Sequence, residues 1–224
     1  MARVNIICEG NTESRFISDV LAPYFWHCGV NLTPMLLGIP GHKGGRVNYA
    51  RVQKDILLQL KQDAKVYCST MFDLYGLETG FPGTVPTSGY AGVQKAIHIE
   101  NAVLKDIASI TPNLRAEERL IPYLQVHEYE GLLFSDTTAF ASALGQANLA
   151  TQLANVRSLF ATPEDINDDP NTVPSKRVAG VYRQYNKVIE GTLAAQRIGI
   201  DKMLAECPHF RNWIERLSAL PAGY

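Results

Sequence analysis

Residues 4–13 read V-N-I-I-C-E-G-N-T-E, and this stretch decides the fold. The apolar run over residues 4–8 predicts a buried β-strand that ends at the polar turn Glu9-Gly10. A helix is predicted from residue 13 to about residue 27, because apolar side chains recur there at spacings of three and four, with Thr12 as its N-cap. A strand, a tight acidic turn and a helix in this order are typical of an α/β fold.

The same alternation continues along the chain. We predict further strands over 32–39, 65–72 and 120–126, and helices over 47–62 and 93–110. From residue 131 onward the pattern is mostly helical, over 132–144, 149–160, 176–191 and 200–217. Strands that alternate with helices predict a mostly parallel sheet flanked by helices. We therefore expect an α/β core over residues 1–135 and a helical C-terminal extension over 136–224, packed on the core as a single structural unit.

The composition indicates a folded protein with little net charge. The chain has 224 residues, of which 46% are hydrophobic, and this excludes a disordered tail. Lys and Arg number 21 against 22 Asp and Glu, for a formal net charge of −1. Nucleic acid or an anionic membrane would not be held by bulk charge, so any phosphate contact has to be local. The absence of a signal-peptide pattern and of long apolar runs predicts a cytoplasmic location.

Acidic residues follow three of the predicted strands. Glu9 comes after the first strand, Asp73 after the third, and Glu128 after the fourth. Since ligands of parallel sheets bind at the carboxyl ends of the strands, we expect these side chains to lie close together. Converging carboxylates without His or Cys partners suit Mg²⁺ or Mn²⁺ rather than Zn²⁺. The alternatives are a turn-forming Asp73 and a solvated strand end at Glu128.

Glu13 and Glu130 are further members of this acidic group. Glu13 lies four residues after Glu9 on the first turn of a predicted helix, where a carboxylate also interacts favourably with the helix dipole. Glu128 and Glu130 alternate, so they face the same way if the strand continues beyond residue 126. The sequence leaves open which of these two reaches the sheet edge.

The run I-I-C-E-G-N-T-E, together with the later strand ending F-D-L-Y-G, resembles the Toprim domain of topoisomerases and primases. That domain has a Glu-Gly turn after its first strand and a D-x-D pattern after a later one. The second acid, four residues on, is most similar to the Toprim domains of OLD-family nucleases. The whole chain also resembles a bacterial family of small uncharacterised Toprim-like proteins, through V-H-E-Y-E-G-L-L-F at 126–134, P-S-K-R at 174–177 and C-P-H-F-x-x-W at 207–213.

This resemblance implies roles for the acidic residues. Glu9 would act as general acid/base or lie beside the metal, and the implied cofactor is Mg²⁺ or Mn²⁺. Tyr75 stands where the second acid of D-x-D is expected, so Glu128 or Glu130 would take its place. The implied metal ligands are Glu9, Glu13, Asp73, Glu128 and Glu130. The implied catalytic residues are Glu9, Asp73 and Glu128.

Two basic segments are candidates for contact with a phosphate or with nucleic acid. Lys176 and Arg177 follow Ser175, which is predicted to cap a helix whose first N–H groups can bind a phosphate. Lys43 lies in the glycine-rich loop 41–46, which lacks the pattern of a P-loop. A solvated helix face and simple loop flexibility are the alternatives for these two segments.

Two functions follow from the resemblance. The first is a Mg²⁺-dependent phosphodiester hydrolase, a nuclease of the Toprim type that serves as effector of a bacterial defence or toxin-like system. The second is a non-catalytic Toprim-like subunit that binds an ABC- or AAA-type ATPase, since this chain has no Walker motif of its own. The expected partners are nucleic acid and such an ATPase, with no membrane, and the oligomeric state stays open.

Overall fold

The computed structural model describes residues 1–38, 47–85, 89–90, 92–166 and 172–221. It confirms the predicted fold class, an α/β arrangement in which helices flank a parallel sheet and the C-terminal region is helical. The strands are β1 (Ala2–Cys8), β2 (Val30–Leu36), β3 (Val66–Asp73), β4 (Leu120–Ile121) and β5 (Leu124–Gln125).

The sheet has the order β2-β1-β3-β4, and β5 also pairs with β3. All of these pairings are parallel. The fourth predicted strand is thus two short strands, because Pro122 has no N–H to continue the ladder. The hydroxyl of Thr70 bridges the gap, since its Oγ1 donates to the carbonyl of Tyr123 and accepts from the N–H of the same residue, each at 2.9 Å.

The helices account for most of the remaining chain. They are α1 (Asn11–Phe16), α2 (Ala22–Trp26), α3 (Tyr49–Gln62), α4 (Gly92–Ile110), α5 (Ala116–Arg119), α6 (Glu130–Leu133), α7 (Thr137–Ala143), α8 (Ala150–Arg157), α9 (Pro174–Val181), α10 (Ile189–Ile198), α11 (Ile200–Glu206) and α12 (Pro208–Ser218). A π-helical turn over Ile17–Leu21 joins α1 to α2. None of the helices in these described ranges is long and apolar enough to cross a membrane.

Several sequence-based expectations about the helices are wrong, and one is the helix predicted over 132–144, which is interrupted between α6 and α7. The N-cap of α1 is Gly10 rather than Thr12, which lies inside the helix. The helix predicted over 176–191 is interrupted at residues 182–188, between α9 and α10. The helix predicted over 200–217 breaks at Cys207, because the following proline fits the first turn of a new helix but not a helix interior.

The sheet carries a hydrophobic core on each face. Alternate residues of β1 point to opposite sides, so Ile6 belongs to one core and Ile7 to the other. The core containing Ile7 packs against α3 and α4, whereas the core containing Ile6 also contains Phe210 and Trp213 of α12. The C-terminal helices therefore share a core with the first strand.

The buried guanidinium of Arg119 stabilises the amino end of β3 through hydrogen bonds. Arg119 is 4% exposed, and it donates hydrogen bonds to main-chain carbonyls rather than to a carboxylate. The accepting carbonyls belong to Leu60, Asp63, Val66 and Leu114. One side chain thus joins the end of α3, the start of β3 and the turn before α5.

We expect Arg119→Met to lower the free energy of unfolding by about 2–4 kcal/mol, because several buried carbonyls lose their donors. Urea denaturation followed by circular dichroism measures the change. Arg51→Met, at an exposed position of α3, is the matched control and should stay within about 0.5 kcal/mol of wild type. A loss for Arg119→Met no larger than that of the control would contradict this account.

A second buried polar group holds α12 against the sheet. His209 Nε2 lies 2.9 Å from Glu100 Oε1, which also accepts the N–H of Leu124 at 2.7 Å. The Glu164 carboxylate accepts the N–H groups of His209 and Phe210 at 2.9 and 2.8 Å, so it caps the start of α12. These bonds connect α12 with α4 and β5.

The His209 contacts predict a pH-dependent stability. Burial alone would lower the pKa of His209, but the hydrogen bond with Glu100 and the negative charges of Glu100 and Glu164 raise it above its usual value. The stabilisation is therefore full at acidic pH and is lost as the pH rises through the raised pKa. Urea midpoints between pH 5.5 and 9 should show the advantage of wild type over His209→Gln shrinking with pH. His27→Gln, at an exposed position, controls for the substitution, and a difference independent of pH would refute the assignment.

Candidate functional site

The ammonium group of Lys187 lies among carboxylates at the carboxyl edge of the sheet. Its Nζ is 3.1 Å from Asp73 Oδ2, 3.2 Å from Glu130 Oε2 and 3.9 Å from Glu13 Oε1. The side chain of Lys187 is 34% exposed, whereas the three carboxylate side chains are almost fully buried. We call these four residues, together with the nearby Glu9, the lysine cluster.

The end of β3 positions Asp73. Its Oδ1 accepts the N–H of Tyr129 at 2.9 Å, and the N–H of Tyr75 donates to the carbonyl of His127 at 3.2 Å. His127 has φ +61°, a left-handed conformation that turns the chain after β5. Residues 127–129 are thus fastened to residues 73–75, and Glu130 follows as the first residue of α6.

The turn after β1 positions Glu9 and Glu13. Glu13 Oε2 accepts the N–H of Gly10 at 3.0 Å, which closes the turn at the start of α1. A Cβ atom at Gly76 would lie 3.1 Å from Glu9 Oε2, so the glycine lets the Glu9 carboxylate pack closely against the turn after β3. The first and third strands therefore bring their acidic residues together, as expected for parallel neighbours.

Lys187 comes from the segment that interrupts the predicted helix 176–191. The N–H of Asn186 donates to Glu190 Oε2 at 2.6 Å, and the N–H of Ile189 donates to Asn186 Oδ1 at 3.1 Å. These reciprocal bonds connect Asn186 with the first turn of α10, which begins at Ile189. Sequence reasoning missed this lysine, although Asn186 four residues before Glu190 is a usable signal for a helix start.

The positive charge of Lys187 compensates the negative charge of the surrounding carboxylates only in part. Burial and the charge of Glu13, opposed by Lys187, raise the pKa of Glu9 to about 7. Burial also raises the pKa of Asp73 and of Glu130, and the attraction of Lys187 only partly offsets it. Burial alone would lower the pKa of Lys187, but the surrounding carboxylates raise it well above its usual range. A single ammonium is therefore shared among several carboxylates.

The donor chemistry of the lysine cluster fits a hard divalent cation. All its acidic side chains supply oxygen ligands, and Oε1 of the fully buried Glu130 has no hydrogen-bond donor in the described part of the chain, whereas its Oε2 is ion-paired with Lys187. The side chains are nevertheless gathered around Lys187. Within the described ranges, no three His, Cys, Asp or Glu side chains are arranged to hold a metal ion.

The two acidic residues after β5 have different surroundings. Glu130 joins the lysine cluster, whereas Glu128 Oε2 accepts the N–H of Ser175 at 2.8 Å. Glu128 thus satisfies a free N–H group in the first turn of α9, and the N-cap of that helix is Val173 rather than the predicted Ser175. The chain leaves the strand at Gln125, so the two glutamates do not share a strand face.

The predicted phosphate-binding residues Lys176 and Arg177 have different surroundings. Lys176 is exposed on α9, whereas Arg177 is half-buried. The Nε of Arg177 donates to the carbonyl of Thr172 at 2.6 Å, and its guanidinium lies 5.1 Å from the centre of the Phe160 ring. Lys43 lies outside the described residues. Of the two described side chains, Lys176 is the one exposed to solvent.

The model of one protein family, described as "Domain of unknown function (DUF4276)", matches residues 8–218. The chain belongs to the DUF4276 family. All five residues of the lysine cluster lie within the matched range. No curated protein and no solved structure matches the chain. A function for this DUF4276 protein has to be argued from the cluster itself.

We expect Lys187→Met to destabilise the protein by about 2–3 kcal/mol at pH 8, because it leaves buried carboxylates without their counterion. Without Lys187 the pKa values of these carboxylates rise further, and such groups favour the folded state only when protonated. The loss should therefore be smaller at pH 5 than at pH 8 in urea denaturation. Lys187→Arg keeps the charge and is the matched control. An equal loss at both pH values would rule out this electrostatic role.

Proposed function

We propose that this DUF4276 protein is a metal-dependent phosphodiester hydrolase that acts on nucleic acid. The observation that carries the proposal is the placement of Glu9, Asp73 and Glu130 at the carboxyl edge of a parallel sheet, where ligands of such sheets bind. The resemblance of the first two strand ends to Toprim domains supports the same assignment.

Mg²⁺ or Mn²⁺ is the proposed cofactor. The carboxylates of Glu13, Asp73 and Glu130 would hold it, since they are the oxygen ligands that the fold gathers around Lys187. When bound, such an ion stabilises negative charge on phosphoryl oxygens and makes water a better nucleophile. Glu128 is assigned a structural role in this proposal, because it serves the start of α9.

Glu9 is the proposed proton acceptor for the attacking water. It is half-buried, and no cation in the described part of the chain lies within ion-pair distance of its carboxylate. Asp73 is less suited to this task, because one of its oxygens is held by the N–H of Tyr129 and the other by Lys187. Proton transfer by a positioned carboxylate accelerates hydrolysis by about 10²–10⁴-fold.

The proposal extends to substrate contacts and cellular setting. The exposed Lys176 on α9 is the residue we assign to the substrate phosphate. Local contacts of this kind are needed because the net charge is −1. A reducing, cytoplasmic compartment agrees with the free thiols of Cys8, Cys68 and Cys207. The role as a defence or toxin-like effector rests on the family resemblance alone.

We expect Glu9→Gln to reduce cleavage at least about 100-fold, because the amide cannot accept the proton. The assay incubates single- and double-stranded DNA and RNA with purified protein and either Mg²⁺ or Mn²⁺, and EDTA should abolish cleavage by wild type. Glu117→Gln, at an exposed position of α5, is the matched control and should cleave like wild type. Equal rates for Glu9→Gln and wild type would contradict the assignment.

A non-catalytic subunit of an ABC- or AAA-type ATPase is the second candidate. The observation that favours it is that the Lys187 ammonium pairs with Asp73 and Glu130 and thereby occupies the place that a metal ion would take. The cleavage assay separates the two functions. Absence of cleavage with every substrate and both metals, by a protein with a normal melting curve, would favour the subunit.

A further inference from the structure

We propose that Lys187 is an internal counterion which competes with a divalent cation for the lysine cluster and leaves the carboxylates when that cation binds. This inference rests on the proposed function only in taking the cluster as a functional site. It assigns Lys187 as a positioning residue that controls metal occupancy.

The first argument is the balance of charge and of hydrogen-bonding capacity. Three carboxylates lie within 3.9 Å of one ammonium, and the completely buried Glu130 has this ammonium beside its Oε2 but no hydrogen-bond donor in the described part of the chain at its Oε1. A buried carboxylate in this condition costs free energy, and a cation of higher charge that it can ligate removes that cost. The lysine cluster therefore retains negative charge and carboxylate oxygens that a divalent cation could bind.

The second argument is that the two cations exclude each other. Lys187 Nζ is 3.1 Å from Asp73 and 3.2 Å from Glu130, so it occupies the space between these two buried carboxylates. A divalent ion bound to the same oxygens would stand beside a positive charge within a few ångströms, which is strongly unfavourable in a buried setting. Binding therefore has to proceed by exchange.

The third argument is that Lys187 is less constrained than the carboxylates it contacts. Asp73 is fixed by the N–H of Tyr129, and Glu13 is fixed by the N–H of Gly10. Glu130 has no exposed surface. The Lys187 side chain is 34% exposed and extends from the non-helical segment between α9 and α10. A flexible four-carbon stem allows its ammonium to move to solvent without moving the backbone.

The exchange has a chemical consequence for the substrate. An ammonium released from Asp73 and Glu130 remains tethered beside the cluster, because residues on both sides of Lys187 are held by the bonds of Asn186 to α10. A free ammonium at that place can form a charge-assisted hydrogen bond with a phosphodiester oxygen. Metal binding would thus convert an internal counterion into a contact for an anionic substrate.

Calorimetric titration of the full chain with Mn²⁺ at pH 8 tests the exchange. Lys187→Met removes the competing charge and should bind Mn²⁺ at least about ten-fold more tightly than wild type, provided that circular dichroism shows it folded. Lys187→Arg retains a competing cation and should bind no more tightly than wild type. An equal or weaker affinity in Lys187→Met, or no binding by any of the three proteins, would overturn the proposal.

A measurement on wild type keeps the proposal testable if Lys187→Met does not fold. Acetic anhydride modifies free amines, and mass spectrometry of tryptic peptides reports the rate at each lysine. Saturating Mg²⁺ should increase the rate at Lys187 several-fold, whereas the exposed Lys61 on α3 serves as reference and should be unaffected. A rate at Lys187 that stays constant or falls with Mg²⁺ would overturn the exchange.

These results are distinguishable from failure of the proposed function. Tighter Mn²⁺ binding by Lys187→Met, without cleavage of any nucleic acid by wild type, would support the exchange of cations and contradict the proposed nuclease activity. Metal-dependent cleavage by wild type, with no gain of affinity in Lys187→Met, would support the nuclease activity and contradict the exchange.

Discussion

Carboxylates that are buried together repel one another, and the ammonium of Lys187 is the interaction that lets this sheet edge close around them. It is shared by acidic residues from three places in the chain: the turn after β1, the end of β3 and the start of α6. Two features of the backbone bring the remaining acidic side chains into position. The glycine at position 76 admits the carboxylate of Glu9, and the left-handed His127 turns the chain so that Glu130 follows toward the cluster.

The parts of the site that follow directly from a strand were predictable from the sequence. Glu9 and Asp73 lie at the carboxyl ends of adjacent parallel strands, and Glu13 is one helical turn from Glu9, so periodicity alone places them together. The choice between Glu128 and Glu130 was not predictable in this way. It depends on the left-handed φ of His127, and a histidine in the sequence does not predict this conformation.

The lysine was missed for a different reason. Lys187 is separated from Asp73 by 114 positions, and such a contact is set by tertiary packing. The apolar spacing over 176–191 predicted an uninterrupted helix, whereas local hydrogen bonds of Asn186 and Glu190 start a new helix there. Side-chain capping of this kind competes with helix periodicity. The fold class, in contrast, depends only on the alternation of strands and helices, which the spacing of apolar residues predicts.

The shared core of β1 and α12 has a consequence for how the protein is made. Because the chain is synthesised from its amino end, β1, β3 and α6 all emerge before residues 182–188 and before α12, which completes the core on one face of the sheet. During that interval the acidic side chains lack Lys187, and the part of this face that α12 covers is exposed to water. The carboxyl edge of the sheet therefore acquires the counterion of its acidic residues only late in synthesis. A nascent chain stalled before residue 187 would expose both uncompensated carboxylates and apolar surface that is prone to aggregation.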